Sequence, residues 1–336
     1  MDESITNRKW AVYFDGSFWT HRGRKRAGKE IKIGKRFVWD NQEWYIPCAY
    51  ACSQGLVIDF CIQVPVESIR SFIEKWGLSM DTEFSEFTNE QQMQIETENP
   101  LTVSCRPEAF VNGKQLSFSH SSALSWNPCF PEYNEQEAED VLKHYGLGTE
   151  YGWIVWRTAF PWATSRKPKR ISLDITLKHD AVPVSGFHFH LPADKERQIE
   201  FTHPITEQPH TLAVQEYELQ EAPEDCFGDE SYEYPTHYVV MSYTLSPDLS
   251  DCEFQIMDCD DGDRPRKKQA NPYEPQSAAA CAIIGAAAGI TALTDNSGSP
   301  KIHTACSALH FQPVNRVEWR TVFYQKGCDD ITIKLK

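Results

Sequence analysis

The segment Ile171-Ser172-Leu173-Asp174-Ile175-Thr176-Leu177 alternates between apolar and polar side chains at every position. Because successive side chains of a β-strand point to opposite faces, this period of two predicts a strand with one buried face. The same alternation recurs from Val239, from Val317 and from Ile331. Half-buried strands of this kind are typical of antiparallel sheets, so we predict a mainly β chain, α+β overall.

Other apolar and aromatic runs extend this prediction to further strands. These runs are residues 9–14, 36–39, 44–51, 55–64, 152–160 and 302–311. Between Phe110 and Gln115, the pair Asn112-Gly113 suits the positive φ angles of a two-residue turn and predicts a tight hairpin. Strands therefore account for most of the predicted secondary structure.

Three segments show helical signals. Residues 66–76 carry an apolar stripe at helical spacing and are followed by a glycine, a common helix stop. Residues 135–145 follow Asn134, which can cap a helix, and end at Gly146. Residues 278–293 are almost all small and apolar. As a helix they span about 24 Å, less than the roughly 30 Å of a membrane's hydrocarbon layer, so we predict a buried helix and no membrane span.

A proline-containing segment at residues 127–135 separates two parts of different character. We predict a smaller mixed α+β region over residues 1–130. An antiparallel β-sandwich-like region follows over residues 131–336, with helices near 135–145 and 278–293.

Composition is typical of a folded protein of the cell interior. The chain has 336 residues, of which 40% are hydrophobic and 12% aromatic, enough to bury a large core. Its first residues lack the basic and apolar parts of a signal peptide, so we predict a cytoplasmic location. Eleven cysteines are scattered without a Cys-x-x-Cys pair, which favours reduced core thiols over disulfides or structural zinc.

Formal charge is unevenly distributed along the chain, whose total is -15. Residues 198–263, the acidic segment, contain seventeen Asp and Glu and no Lys or Arg. Residues 22–36, the basic segment, contain eight Lys and Arg against Glu30. The acidic segment must be solvated or meet cations, which could be a divalent metal ion, a basic partner or the basic segment itself.

Aromatic side chains flank the basic segment and suggest a binding surface. Candidate residues for an anion or a partner are Arg22, Arg24, Lys25, Arg26, Lys29, Trp19 and Trp39. Cations beside stackable rings can bind single-stranded nucleic acid, but a net charge of -15 opposes a polyanion. We therefore expect a protein partner or a second copy of the chain as homo-oligomer, and no nucleic acid or membrane.

Histidines are concentrated between residues 188 and 210. In a strand, His188 and His190 lie on one face, about 6.5–7 Å apart, and a hairpin after His203 brings His210 beside it. Imidazoles with a carboxylate suit a first-row metal ion. No motif identifies a cofactor. The cofactor that these histidines and carboxylates suggest is a divalent metal ion. The candidate ligands are His188, His190, His203, His210, Asp194 and Glu200.

The run His188-Phe189-His190 resembles the first motif of the cupin family, in which His-x-His is followed three or four residues later by Glu. Here Asp194 stands at that spacing, Glu196 comes later, and Pro192 lies between. The sequence contains no second cupin motif, and the resemblance covers about ten residues. It implies a metal-dependent enzyme with an open coordination position for substrate.

A second metal hypothesis concerns the run from Asp258 to Asp263, whose carboxylates suit calcium. An EF-hand loop needs glycine at its sixth position, whereas Gly262 falls at the fifth. We interpret this run as a solvated acidic turn.

The sequence contains no nucleophile elbow and no dinucleotide fingerprint, and its closest approach to a phosphate-binding loop has Glu30 in place of Ser or Thr. We therefore predict a cytoplasmic β-rich binding or interaction protein without a catalytic motif. The alternative is a metal-dependent, cupin-like enzyme, with His188, His190 and His210 as ligands and Asp194 or Glu200 completing the set.

Overall fold

The computed structural model describes residues 10–18, 26–164, 167–191, 198–223, 231–268 and 301–336. Eighteen strands and three α-helices lie in these residues, which confirms the prediction of a mainly β fold. The strand predicted at residues 9–14 is wrong where the chain is described, since residues 10–14 form none. None of the described helices combines the length and apolar character needed to cross a membrane.

The elements are numbered in chain order. The strands are β1 (Lys29–Trp39), β2 (Gln42–Ala51), β3 (Gly55–Val64), β4 (Cys105–Val111), β5 (Lys114–Leu116), β6 (His120–Trp126), β7 (Gly152–Pro161), β8 (Leu173–His179), β9 (Ala181–His190), β10 (Gln198–Thr202), β11 (Pro209–Glu221), β12 (Tyr232–Glu233), β13 (His237–Ser246), β14 (Phe254–Asp258), β15 (Arg266–Lys267), β16 (His303–Cys306), β17 (Glu318–Lys326) and β18 (Ile331–Lys334). The helices are α1 (Val66–Trp76), α2 (Asn89–Glu98) and α3 (Gln136–Tyr145).

The chain divides into two compact units. Unit 1 comprises Met1–Glu83, Ile95–Val182 and Lys326–Lys336, and unit 2 comprises Phe84–Gln94 and Pro183–Gln325. The predicted boundary between residues 130 and 131 falls inside unit 1, because β7 follows it and pairs with both β3 and β6. The helix predicted at residues 278–293 lies outside the described residues.

Unit 1 is a sandwich of two antiparallel sheets. One has the strand order β1-β2-β3-β7-β6 and the other β18-β8-β4-β5. The strand predicted from the alternation at residues 171–177 is β8, and its Leu173, Ile175 and Leu177 are fully buried in the core between the sheets. The predicted hairpin is formed by β4 and β5.

The second face of the five-stranded sheet is also covered. Helix α3 packs Ala138, Val141 and Leu142 against this face, and Val12 and Phe18 from the N-terminal segment are buried there too. Polar groups on this face are therefore removed from water and must find partners inside the protein.

The helix predictions hold at the C-terminal ends and fail at one cap. Helices α1 and α3 end at Gly77 and Gly146, whose φ angles of 60° and 65° are left-handed. Asn134, predicted as the cap of α3, lies one residue before the actual cap, Glu135. Its side chain instead braces the preceding loop by bonding the N–H and the carbonyl of Asn127 at 2.7 and 2.8 Å.

A buried ion pair joins α3 to the sheet. Asp59 on β3 lies directly opposite Arg157 on β7, and the guanidinium donates to both carboxylate oxygens at 2.7 and 2.6 Å. The Asp59 side chain is 0% exposed and that of Arg157 is 3% exposed. Tyr145 of α3 donates to the same carboxylate at 2.5 Å. Such charges are tolerated in a core only when they are paired and hydrogen-bonded.

Unit 2 is a second antiparallel sandwich. Its larger sheet has the order β10-β11-β13-β16, and its smaller sheet has the order β14-β17-β9. Leu212 and Met241 from the larger sheet share one core with Phe254 and Trp319 from the smaller sheet. The outward faces carry polar side chains, as the period-two pattern requires.

Breaking the buried ion pair should cost far more stability than breaking an exposed one. We expect Asp59→Asn to lower the free energy of unfolding by about 3–5 kcal/mol, because it leaves a buried guanidinium without its counter-charge. The control is Glu98→Gln, which breaks the exposed pair of Lys75 and Glu98 at 2.6 Å. This change should cost less than about 1 kcal/mol. Urea denaturation measures both, and equal shifts for the two variants would contradict the expectation.

Candidate metal centre in unit 2

Strand β9 presents its two histidines on the outward face. Phe187 and Phe189 pack into the core of unit 2, whereas His188 and His190 are exposed, which is the alternation expected from the sequence. The two histidines have different surroundings. His188 is surrounded by possible metal ligands, and His190 lines a neighbouring cavity.

Three donor atoms of different chemistry converge at His188. The imidazole Nδ1 lies 3.1 Å from Glu318 Oε1 and 3.7 Å from Cys259 Sγ. Donor atoms of His188, Cys259 and Glu318 all lie within 4.8 Å of one another. Strand pairing produces this arrangement, because β17 lies between β14 and β9 and the N–H of Cys259 donates to the carbonyl of Glu318 at 2.9 Å.

These separations match the spacing of ligands around zinc. With Zn–N bonds near 2.0–2.1 Å and Zn–S bonds near 2.3 Å, tetrahedral angles place two donors about 3.3–3.6 Å apart. The measured 3.1 and 3.7 Å differ from that range by a few tenths of an ångström at most. The third separation, between the Cys259 thiol and the Glu318 carboxylate, is at most 4.8 Å, so rotation of these side chains can bring all three donors onto one ion.

A fourth residue orients the imidazole. Glu90 of α2 places Oε2 2.8 Å from His188 Nε2, so that nitrogen donates its proton to the carboxylate. When Nε2 carries the proton of a neutral ring, Nδ1 is left with a lone pair directed at Cys259 and Glu318. Metal-binding histidines usually have their second nitrogen held in this way, which fixes the ring and increases its basicity.

The protonation of the metal-free site follows from its neighbours. Hydrogen bonding to Glu318, and then the charge of Glu90, raises the pKa of His188 above its ordinary value. Burial, with the charge of Glu318, raises the pKa of Cys259 to about 11, so its thiol is protonated at neutral pH. A coordinating metal ion displaces such protons, since thiolate and neutral imidazole are the ligand forms.

A cavity of about 450 Å³ adjoins the three donors. Cys259 and Glu318 belong to its wall, together with His190, His310, Arg316 and three acids of the acidic segment, Asp258, Asp260 and Asp261. The metal site would therefore open into an acidic cavity and not into the core.

The acidic turn that forms part of this wall is rigidly held. Both carboxylate oxygens of Asp258 accept backbone N–H groups at 2.9 Å, from Asp260 and Ala308. Because both oxygens are already bonded, Asp258 supports the turn and is not a free ligand. Gly262 adopts a φ of 70° next to the carbonyl of Leu309. The turn that we interpreted as solvated therefore forms one side of the candidate site.

The hairpin brings His203 and His210 together, as predicted, but as core residues. Their ring centroids are 5.9 Å apart and both are buried. His203 Nδ1 accepts the N–H groups of Ile205 and Thr206 at 3.2 Å, and His210 Nδ1 donates to the carbonyl of Pro247 at 2.9 Å. Within the described residues, neither belongs to a group of three or more metal donors.

The two predicted carboxylate ligands do not enter the described site. Glu200 is exposed on β10, and Asp194 lies outside the described residues. Sequence spacing cannot identify Glu90, Cys259 and Glu318, because they are separated from His188 by 98, 71 and 130 residues. Neither a motif nor a spacing connects residues that far apart.

The residues predicted to bind an anion or partner are only partly described. Trp19, Arg22, Arg24 and Lys25 lie outside the described residues, while Arg26 and Lys29 are exposed. Trp39 is 7% exposed and donates its Nε1–H to the Asp329 carbonyl. Lys29 belongs to β1, an edge strand, where exposed lysines oppose pairing with other chains.

A larger cavity of about 1010 Å³ lies between the two sheets of unit 1. Its wall is mainly apolar, and two of its cations are already paired, Arg106 with Asp180 at 2.6 Å and Lys178 with Glu108 at 2.8 Å. The smaller cavity is the better candidate for a functional site, because metal-binding side chains converge there.

Comparisons of the chain with protein-family models, with curated proteins and with solved structures find no match. The resemblance to cupins therefore rests on His188 and His190, and the geometry assigns these two residues different surroundings.

Replacing Gly262 should distort the turn at the cavity. A side chain there is strained by the left-handed φ, and its Cβ would lie 2.6 Å from the Leu309 carbonyl. Gly113 is the matched control, since its φ is 76° and a Cβ would have open space around it. We expect Gly113→Ala to cost about 1–2 kcal/mol and Gly262→Ala to cost more. Equal losses in thermal or urea unfolding would contradict the role of the Leu309 contact.

Proposed function

We propose that this protein binds one divalent metal ion, Zn²⁺ by preference, through His188, Cys259 and Glu318 in unit 2. The observation that supports this most directly is the convergence of a nitrogen, a sulfur and an oxygen donor within 4.8 Å beside a cavity. The known ligand preferences of metal ions in proteins favour zinc, because zinc accepts all three atom types, whereas calcium and magnesium prefer oxygen alone.

The proposed site has room for a further ligand. Three protein donors leave the fourth position of a tetrahedral ion free, which is the arrangement of sites where the ion meets water or a substrate. The charges of a thiolate and a carboxylate balance those of Zn²⁺. The remaining acids of the cavity wall outnumber Arg316, so they disfavour an anion and favour a neutral or cationic ligand such as an amine.

The open position also supports the alternative, a metal-dependent enzyme. An ion with a free coordination position can polarise a carbonyl group or lower the pKa of bound water. His190 and His310, which line the same cavity, are residue types that transfer protons near neutral pH. The enzyme proposal therefore differs from the cupin-like prediction in its ligands and shares with it only His188.

The interaction hypothesis stays a second proposal. Glu216, Glu218 and Glu221 are exposed along β11 in unit 2, where they are available to a basic partner or to a second copy of the chain. This proposal is compatible with metal binding at the cavity.

Metal titration tests the main proposal. Metal-free protein is titrated with Zn²⁺ and with Co²⁺, whose charge-transfer absorption reports thiolate ligation. We expect His188→Ala and Cys259→Ser each to remove one bound equivalent. His190→Ala, a change to an exposed histidine on the same strand, and Cys252→Ser, a change to an exposed thiol, should remove none. If His188→Ala and Cys259→Ser bind as much metal as the wild type, the proposal is wrong.

Glu90 should change the affinity for the metal ion without deciding whether the ion binds. We expect Glu90→Ala to weaken binding of the same ion by about 10–100-fold without abolishing it, because the imidazole loses the acceptor that holds it. Glu86→Ala removes an equal charge from an exposed neighbouring residue and should change the affinity much less. If the Glu90→Ala and Glu86→Ala variants bind the ion with equal affinity, Glu90 does not orient the imidazole and acts only through its charge.

A further inference from the structure

Three segments of unit 1 that are far apart in sequence bring a second set of donors together. Asp40 lies in the turn between β1 and β2, His179 ends β8, and Cys328 lies between β17 and β18. Their donor atoms all lie within 4.8 Å of one another. The sequence argued against structural zinc because no Cys-x-x-Cys pair is present, but this set uses one thiol and is assembled by the fold.

Each ring nitrogen of His179 has its own polar partner. Its Nδ1 lies 2.6 Å from the carbonyl of Asp180, which can only accept, so Nδ1 carries the proton. The N–H of Gly327 is 3.4 Å from the same nitrogen, too far to compete with that bond. The other nitrogen, Nε2, lies 3.0 Å from Asp40 Oδ2 and donates to this carboxylate when it carries a proton, so it becomes a ligand when an arriving ion displaces that proton.

The ring is also held by packing. Its side chain is 6% exposed, and the Trp39 ring meets it edge-on at a centroid distance of 5.8 Å. Gly327 lies close against it, because a Cβ there would be 2.9 Å from both Cε1 and Nε2. A ring confined in this way loses little further freedom when it binds an ion, and this favours affinity.

Asp40 lies in a tight turn that holds its carboxylate near His179. Asp40 and Asn41 form the two-residue turn between the paired residues Trp39 and Gln42, with φ angles of 51° and 57°. Such turns favour glycine, asparagine and aspartate, whose side chains tolerate positive φ. The turn therefore fixes the backbone that carries the Asp40 carboxylate beside His179.

A cysteine nucleophile is a poor explanation of the same group. Nucleophilic cysteines need a histidine between the thiol and an orienting acid. Here the carboxylate of Asp40 lies against Nε2, and Nδ1 is occupied by a backbone carbonyl. These contacts do not match the arrangement of a nucleophilic cysteine.

The surrounding charge favours a cation. Asp180 pairs with Arg106 at 2.6 Å, and Asp330 pairs with Lys326 at 2.8 Å while accepting the backbone N–H of His179. Among the salt bridges of the described residues, the one partner of Asp40 is His179. A bound divalent ion would balance Asp40 and a deprotonated Cys328.

We propose that Asp40, His179 and Cys328 bind a second Zn²⁺ ion, with water completing the coordination, and that this ion fastens residues 326–336 to the turn between β1 and β2. The exposed site at His188 is suited to exchanging ligands. This partly buried site is suited to stabilising unit 1, because an ion that binds only the folded chain shifts the folding equilibrium toward it.

The test uses variants that preserve the backbone. Asp40→Asn keeps a residue favoured in the turn while removing the charge, and Cys328→Ser removes the thiolate. Both are made in a Cys259→Ser background, which removes the proposed ion of unit 2. We expect that background to bind one Co²⁺ with a thiolate charge-transfer band and each double variant to bind at least tenfold more weakly. Asp329→Asn, at an exposed neighbouring acid, should bind as the background does.

Unfolding temperature provides a second readout. Zn²⁺ at about 100 times its dissociation constant should raise the unfolding temperature of the Cys259→Ser protein by about 5 °C or more. The rise should be absent in the double variants. If either double variant fails to fold, the other decides. Two results would overturn this proposal. The Cys259→Ser protein could bind no Co²⁺, or the Asp40→Asn double variant could bind metal and be stabilised as strongly as the Cys259→Ser protein. Neither result would affect the proposal for His188.

Discussion

Each sheet of this protein can remove its apolar face from water only by packing against a second sheet, and both units are built to meet that requirement. Burying one leucine or isoleucine side chain contributes about 1.5–3 kcal/mol, so rows such as Leu173, Ile175 and Leu177 determine which face of β8 turns inward. Every other position then faces outward. His188 of unit 2 lies on such an outward face of β9.

The five-stranded sheet of unit 1 meets a stricter condition, since α3 and the N-terminal segment cover its outer face as well. A polar residue on that face cannot rely on water, and this explains why Asp59 and Arg157 lie directly opposite each other and share Tyr145. The ion pair links β3 to β7, and Tyr145 connects it to α3. The same reasoning explains the buried cysteines Cys48 and Cys61, which behave as small apolar side chains on this face.

The two histidine groups share a design and differ in exposure. Each has an imidazole, a thiol and a carboxylate as possible ligands, and in each the second ring nitrogen is held, by Glu90 in one case and by the Asp180 carbonyl in the other. The His188 side chain is 39% exposed beside a cavity, whereas that of His179 is 6% exposed between loops. Exposure determines whether a bound ion could exchange ligands with solvent, so the same donors support two different roles.

The sequence by itself determined the local structure: the strand alternation, the hairpin at Asn112 and Gly113, the helix ends at Gly77 and Gly146, and the outward direction of His188 and His190. Backbone geometry dictates these features within a few residues, so they can be derived from spacing alone. It also placed His203 beside His210, because one short hairpin joins them. Only the tertiary structure decided that Glu90, Cys259 and Glu318 meet His188, and that Asp40 and Cys328 meet His179. Those contacts arise from strand pairing and packing between distant segments, and no local pattern encodes which strands become neighbours. The acidic segment likewise does not reveal the role of each of its acids. Asp258 accepts backbone N–H groups, whereas Glu216 is exposed, although both belong to the same segment.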